Sequence, residues 1–311
     1  LGVSASTLRN WDKSGKLKSQ RNPYNDYRIY RHEDIDVILQ SLNEFKDYPE
    51  KQVIDKKNIS DFTNKVIQGD CLDVMATMPD KSIDMILCDL PYGSTKNKFD
   101  IRIDLSSLWT EYIRIIKKRG CIALFSQSPF DKCLAVSNIE MFKYEWIWEK
   151  PLVTGMFNSK FAPMKAHENI LIFSKSAACY VKDSNNAMVY NPQFSEGKPY
   201  ITKSGKASTN YDINWNHSVV TNNKGTRYPR SVIKFAHDTK RIHPTQKPVA
   251  LLEYLIKTYT NENDIVLDNC FGSCSTGVAC VHTHRNFIGI EKNRDFFMKG
   301  RQWLLDEINM R

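Results

Sequence analysis

The sequence predicts an α/β fold: a seven-stranded, mostly parallel sheet, a small helical unit before it and an inserted region within it. Three observations carry this. Seven short apolar runs recur from residue 65 onward. They are near-continuous rather than alternating, as in strands buried on both faces. Helical segments separate several of them, as in a parallel sheet with crossovers. The 311 residues suffice for one large domain and a small one, and a 41% hydrophobic content supplies a core.

In chain order, residues 1–42 read as a small unit of their own. Ser6 can cap a helix over 7–13, and Gly15 ends it. A basic stretch from Lys16 to Arg31 follows, with Tyr24, Tyr27 and Tyr30 interleaved, and a last helix carries Ile35, Val37, Ile38 and Leu42. Arg9, Lys13 and Arg28 lie here, where cations suit phosphate contact and groove entry. The segments LGVSASTLRNWDKSGKL and YRIYRHEDI resemble the winged helix-turn-helix of MerR-type regulators, without that module's first helix. Residues 43–63 are polar, contain Pro49 and read as a linker.

The strand-like runs are 66–67, 83–88, 121–125, 146–148, 169–173, 265–267 and 287–290. Helices are expected over 105–117, closed by Gly120, over 249–259, opened by Pro248, and over 294–308. Residues 175–240 break this rhythm. They are rich in Asn, Ser, Lys and Tyr, show no clear period and read as an inserted functional segment.

Lys and Arg number 44 against 35 acids, a formal net charge of +9, which points to a polyanionic partner, most commonly nucleic acid. No apolar run approaches the roughly 20 residues of a membrane span, and the first residues carry no signal-peptide pattern. The eight cysteines form no CxxC pair, so a reducing, cytoplasmic setting without a disulfide framework is expected. Cys274, Cys280, His282 and His284 are close in sequence, but their spacing fits no usual zinc pattern, and no metal is expected.

Two segments carry chemistry. Asp89-Leu90-Pro91-Tyr92 follows the run 83–88. An acid, a stiff turn and an aromatic ring at a strand mouth can hold an exocyclic amine on a flat ring: carboxylate and backbone carbonyl accept its two protons, and the ring stacks on the base. An ordinary strand-end turn has the same composition. Further on, Asp268-Asn269-Cys270-Phe271-Gly272-Ser273-Cys274-Ser275 leaves strand 265–267 as a turn of small residues and opens a helix. Such a turn lets the backbone approach a ligand. Glu291, at the tip of the next strand, suits the hydroxyls of a ribose, which together indicates an adenosine-containing cofactor. His243, Thr245 and Lys247 precede the helix feeding this strand, and their polar groups are expected to face the same loop.

These motifs resemble the amino-group DNA methyltransferases. DLPYG matches the catalytic DPPY-type motif, LDNCFGSCSTG the cofactor motif, HPTQKP and FIGIEK two further cofactor segments, and Gly69-Asp70-Cys71-Leu72 the segment whose acid reaches the cofactor's adenine amine. The catalytic motif comes first, the permuted β arrangement, and the likeness covers residues 64–305. It implies a Rossmann-like methyltransferase sheet, S-adenosylmethionine as methyl donor and N6 of a flipped adenine as acceptor. Asp89, Leu90, Pro91 and Tyr92 are then catalytic. Asp70, Cys71, His243, Thr245, Lys247, Asp268, Cys270, Phe271, Gly272, Ser273, Ser275 and Glu291 bind the cofactor. Double-stranded DNA is the implied partner, with 175–240 as target-recognition region and Lys203, Lys206 and Arg227 among its cationic contacts. Such enzymes also admit a homodimer and a restriction endonuclease partner.

Leu90 stands where the family has proline, Cys270 where it has phenylalanine and Cys274 where it has glycine. A Cβ at 274 is expected to crowd the methionine end of the cofactor. Two rival readings follow: an N4-cytosine methyltransferase, and a DNA-binding regulator with a decayed methyltransferase domain.

Overall fold

The computed structural model describes residues 11–12, 15, 17–21, 28–31, 33–34, 56–93, 102–179, 181–203, 220–239 and 246–310. The chain divides into two compact units, Leu1–Asp55 and Lys56–Arg311.

In the first unit, Trp11 and Asp12 are helical, and strands β1 (Gln20–Arg21) and β2 (Arg28–Ile29) form an antiparallel ladder. Asp12 joins the two pieces. Its carboxylate accepts from the Ser19 N–H at 2.9 Å, the Ser19 hydroxyl at 2.7 Å and Arg28 Nε at 2.9 Å, which together hold it at about 2. Arg28 was expected on DNA; here it pairs with Asp12. Arg9 and Lys13 lie outside the described residues.

The second unit runs β3 (Lys65–Gln68), α1 (Cys71–Ala76), β4 (Ile83–Asp89), α2 (Leu105–Ile115), β5 (Ile116–Ser126), α3 (Phe130–Ser137), β6 (Phe142–Thr154) and β7 (Lys165–Phe173). Short strands follow: β8 (Ser195–Glu196), β9 (Tyr200–Lys203), β10 (Val220–Asn223), β11 (Thr226–Arg227) and β12 (Val232–Lys234). The chain closes with α4 (Val249–Tyr259), β13 (Ile265–Asp268), α5 (Ser275–His282), β14 (Asn286–Glu291) and α6 (Arg294–Asn309).

Among the described residues the main sheet has eight strands, in the order β12-β6-β7-β5-β4-β13-β14-β3, of which only β7 runs against its neighbours. Residues alternate between two cores. Met85 and Leu87 of β4 face the core that holds α4 and α5, while Ile86 and Cys88 face the core under α1 and α2. Burial on both faces explains why these runs are uninterrupted in sequence.

Two expectations are corrected. The eighth strand, β12, comes from the region that shows no period; it is only three residues long and pairs at the sheet edge. The helix expected to reach residue 117 stops at Ile115, and β5 starts at once. Gly120 therefore ends no helix. It lies inside β5, where a Cβ would come 2.7 Å from the Asp84 carbonyl of β4.

All eight cysteines are free. Among the described residues no helix is long and apolar enough to cross a membrane.

Candidate active site

Strands β4 and β13 are parallel neighbours, but the chain leaves β4 for β5 on one side and β13 for β14 on the other. Loops that part in this way open a crevice at the carboxyl ends of the strands, where open α/β sheets bind ligands. Asp89 ends β4, Asp268 ends β13, Glu291 ends β14, and Asp70 follows β3 by two residues. Four acids thus stand in a row along one sheet edge, about 4.8 Å apart per strand.

Asp89 is fixed by two contacts. The Tyr92 hydroxyl donates to Oδ1 at 2.8 Å, and Lys247 Nζ reaches Oδ2 at 2.6 Å. The Tyr92 ring lies against Phe130, centroids 5.3 Å apart and tilted 31°. Arg102 Nε donates to the Tyr92 carbonyl at 2.6 Å, which closes the turn. Leu90 is buried in the core beneath.

Lys247 was expected toward the cofactor loop. Its ammonium instead bridges Asp89 and Glu168, 3.3 Å from Glu168 Oε2, and lies 5.1 Å over the Phe125 ring. Burial alone would lower its pKa, but the two carboxylates outweigh that and raise it. Glu168 also receives Lys150 at 3.4 Å and Gln127 Nε2 at 3.1 Å. Sequence reasoning singled out Lys247 but missed the rest of this group. Its only trace was an acid, Glu168, bordering the apolar run 169–173. His243 and Thr245 lie outside the described residues, as do 94–101.

The second half of the site is the loop after β13. Asp268 is buried and accepts from Thr276 Oγ1 at 2.6 Å and the Cys270 N–H at 3.0 Å. Burial pushes its pKa up to about 6 against these hydrogen bonds. Among the described residues no cation pairs with it. Glu291 accepts from the Gly272 N–H at 2.8 Å and the Asn293 N–H at 2.7 Å, tying the loop to the end of β14. Asp70 caps α1 through the Leu72 N–H and pairs with Lys292 at 3.0 Å; the Lys292 bond leads in lowering its pKa. Gly272 has φ +45°, and a Cβ there would meet nothing nearer than the Cys270 carbonyl at 3.8 Å. Ser273 and Ser275 are buried, with their hydroxyls 3.4 Å apart. Cys71 is buried, and burial pushes its thiol up to about 12; Cys270 is half-buried.

A buried carboxylate with no cation beside it among the described residues, open space over a glycine and an acid on the next strand fit a positively charged nucleoside ligand. Phe271 plays a different part from the one expected. Its ring is 2% exposed and faces inward: a Cβ on Gly289 would fall 2.2 Å from it and one on Gly277 2.7 Å. It anchors the loop from below. Gly289→Ala is therefore expected to cost about 1–3 kcal/mol or more by overpacking, read as a lowered melting temperature.

Cys274 is also corrected. It adopts the left-handed conformation, φ +65°, and is fully buried. Its Sγ occupies the space beside Gly300 of α6, 2.5 Å from where a Cβ would stand. The thiol packs into the core under the loop, so the side chain that glycine would lack does not crowd the cleft.

In the inserted region, β9 pairs with β10 and β8 with β11. Lys203 is exposed at the end of β9, whereas the Arg227 guanidinium stacks 4.6 Å from the Tyr200 ring and donates to Asn223 and to the Lys198 carbonyl. Lys206 is outside the described residues.

This sheet order, with an acid–proline turn beside a small-residue loop at the switch point, defines a Rossmann-like methyltransferase. More narrowly, the chain belongs to the DNA methylase family, whose pattern matches residues 83–299. Residues 1–47 match the MerR family of helix-turn-helix regulatory proteins. A DNA adenine methyltransferase of Escherichia coli K12, YhdJ, is 31% identical over 76% of this chain and 80% of its own length. The Type II methyltransferase M.HinfI of Haemophilus influenzae is 27% identical over 78% of this chain and 68% of its own. In fold, the chain resembles the M1.HpyAVI–SAM complex (TM-score 0.51, 24% identity, 77% of this chain and 98% of that one). It likewise resembles the cytosine-N4-specific PvuII methyltransferase (TM-score 0.53, 15% identity, 79% and 92%).

Proposed function

We propose that this chain methylates N6 of adenine in duplex DNA, using S-adenosylmethionine. The observation that carries the reading is the adjacency of two strand ends: Asp89 on β4 and, on the neighbouring strand β13, the buried carboxylate of Asp268, which pairs with no cation among the described residues. When bound, S-adenosylmethionine supplies a methyl group on a cationic sulfur, open to in-line attack by the amine nitrogen.

The protein's part is to bind, orient and accept protons. Asp268 faces the positive charge of the donor's amino-acid end. Glu291 takes the ribose hydroxyls and Asp70 the adenine amine of the cofactor. Small residues 272–275 let the backbone come close. At the other end of the row, Asp89 and the Leu90 carbonyl accept the two N–H protons of the target amine, which aims its lone pair. Positioning and fixed dipoles supply most of the acceleration. The target base must leave the duplex, which costs a few kcal/mol; stacking on Tyr92, backed by Phe130, returns about 1–3 kcal/mol.

The first unit and residues 175–240 are proposed as DNA contacts, with Lys203 the best-presented cation among the described candidates. YhdJ is named for adenine, which favours N6-adenine over N4-cytosine. The inward-packed Cys274 removes the steric ground for a decayed domain. Relatives named Type II methyltransferases support a cognate restriction endonuclease as functional partner. A homodimer is tested by sizing the purified protein.

The test is modification-aware sequencing of plasmid from cells expressing the protein. N6-methyladenine in one sequence context is expected. N4-methylcytosine would overturn the base assignment, and unmodified DNA together with failure to bind S-adenosylmethionine would favour the regulator.

A further inference from the structure

We infer that Glu168 is a positioning residue for methyl transfer: fixed by Lys150 and Gln127, it shares the Lys247 ammonium with Asp89 and so sets how strongly Asp89 accepts a proton from the target amine. The inference rests on the methyltransferase reading above and deepens it.

Four charges form an unbroken chain, Lys150–Glu168–Lys247–Asp89, with contacts of 3.4, 3.3 and 2.6 Å. The first three side chains are 5, 12 and 9% exposed, and Asp89, at the open end, is 27% exposed. Buried ion pairs of this kind add little to stability compared with apolar residues of the same volume. Stability alone therefore does not account for a chain of four that ends on the reacting group.

The sharing has a chemical consequence. As the amine nitrogen gains a bond to the methyl carbon, the carbon–sulfur bond of the donor would break and leave its electron pair on the then neutral sulfur; the nitrogen must shed a proton, and the Asp89 carboxylate is placed to receive it. An ammonium paired with Asp89 alone would keep that carboxylate charged but make it a poor acceptor. Glu168 draws part of the ammonium's charge away. Burial would raise the Glu168 pKa, but Lys247 and Lys150 outweigh burial and hold it low, so Glu168 stays ionised for this role. Gln127 and Lys150 both hold Oε1, which leaves Oε2 for Lys247.

Other groups face Asp89 as well. Cys88 precedes it on β4, Asp268 ends the neighbouring strand β13, and Tyr92 and Arg102 lie across the turn. Among the described residues none of these makes a hydrogen bond or ion pair with Glu168, so Lys247 is the contact that joins Glu168 to Asp89, while the Glu168 charge also acts through space on Tyr92.

The two members of the pair have opposite signs. Losing Lys247 leaves Glu168 as a bare negative charge near Asp89, so the acid limb of kcat moves to higher pH. Losing the Glu168 charge leaves Lys247 to Asp89 alone, so the limb moves to lower pH and the plateau of kcat falls. The experiment measures kcat against pH for wild type, Glu168→Gln, Lys247→Met and the double variant, with the Kd for S-adenosylmethionine and a melting curve for each. Glu168→Gln is expected to lower kcat about tenfold with Kd within about threefold, and the double variant to exceed Lys247→Met alone. A kcat for Glu168→Gln within about twofold of wild type, or a double-variant loss equal to the product of the single losses, overturns the inference. Should Glu168→Gln not fold, Lys150→Met replaces it: a reduced plateau supports the inference and an unchanged one overturns it. Wild type serves as the separate control. If it methylates no DNA, the function reading fails; if it does and the variants behave alike, only the role of Glu168 fails.

Discussion

Asp89→Ala is expected to reduce methyl transfer about a thousandfold or more while leaving the affinity for S-adenosylmethionine within a few-fold. The carboxylate stands at the end of β4, held by Tyr92 and Lys247, and touches the loop after β13 through no hydrogen bond among the described residues. Its removal takes away the acceptor for the amine protons but none of the groups assigned to the cofactor. The alanine variant also leaves Lys247 with Glu168 as its remaining carboxylate. A buried ammonium half deprived of its partner costs stability, so the melting temperature should fall together with kcat. Calorimetry with the cofactor and a methylation assay on one preparation separate the two effects. Full retention of activity would reject the role of Asp89.

Asp268→Asn is expected to have the second-largest effect, on binding rather than on the chemical step. Burial lifts the folded pKa of Asp268 from 3.8 to about 6. The folded state therefore holds this proton where the unfolded chain has lost it. The contribution of the group to stability is present below about pH 4 and is lost as pH rises toward 6, a loss on the order of 3 kcal/mol. A cationic ligand reverses the preference, because it stabilises the charged form. Cofactor affinity of the wild type should therefore rise between about pH 5 and pH 7. Asp268→Asn should bind at least about tenfold more weakly at pH 7 and show no such rise. Titration calorimetry across this range, with proton release measured, checks both. An affinity that is flat with pH in the wild type would place the donor's positive charge elsewhere.

Much of the site could be read from local pattern. Asp89, Asp268 and Glu291 each end an apolar run, and a residue at the end of a buried parallel strand has to emerge at the carboxyl edge of the sheet. The turn after Asp268 was legible because small residues crowd into it. What escaped was long-range. Lys247 meets Asp89 across 158 positions, and no periodicity predicts that pairing. Glu168 and Lys150 belong to the antiparallel β6–β7 pair, whose register slips between Glu149 and Thr154, around Pro151. Proline has no N–H for the ladder, and such a slip re-aims side chains. The start of β5 was hidden because Lys117-Lys118-Arg119 reads as the charged end of a helix. Cys274 misled because the sequence tells which residue replaces glycine but not which way its side chain turns. The answer lies in α6, where Gly300 leaves room for the thiol.

The central claim is that Asp89 grips an extruded adenine beside the cofactor. Its most direct test is a structure of the protein with a non-transferable S-adenosylmethionine analogue and a duplex bearing the sequence found to be methylated. The target adenine should lie outside the helix, its N6 about 3 Å from the Asp89 carboxylate and the Leu90 carbonyl. An adenine still stacked in the duplex, or an extruded base whose amine meets other acceptors with Asp89 out of reach, would contradict the account.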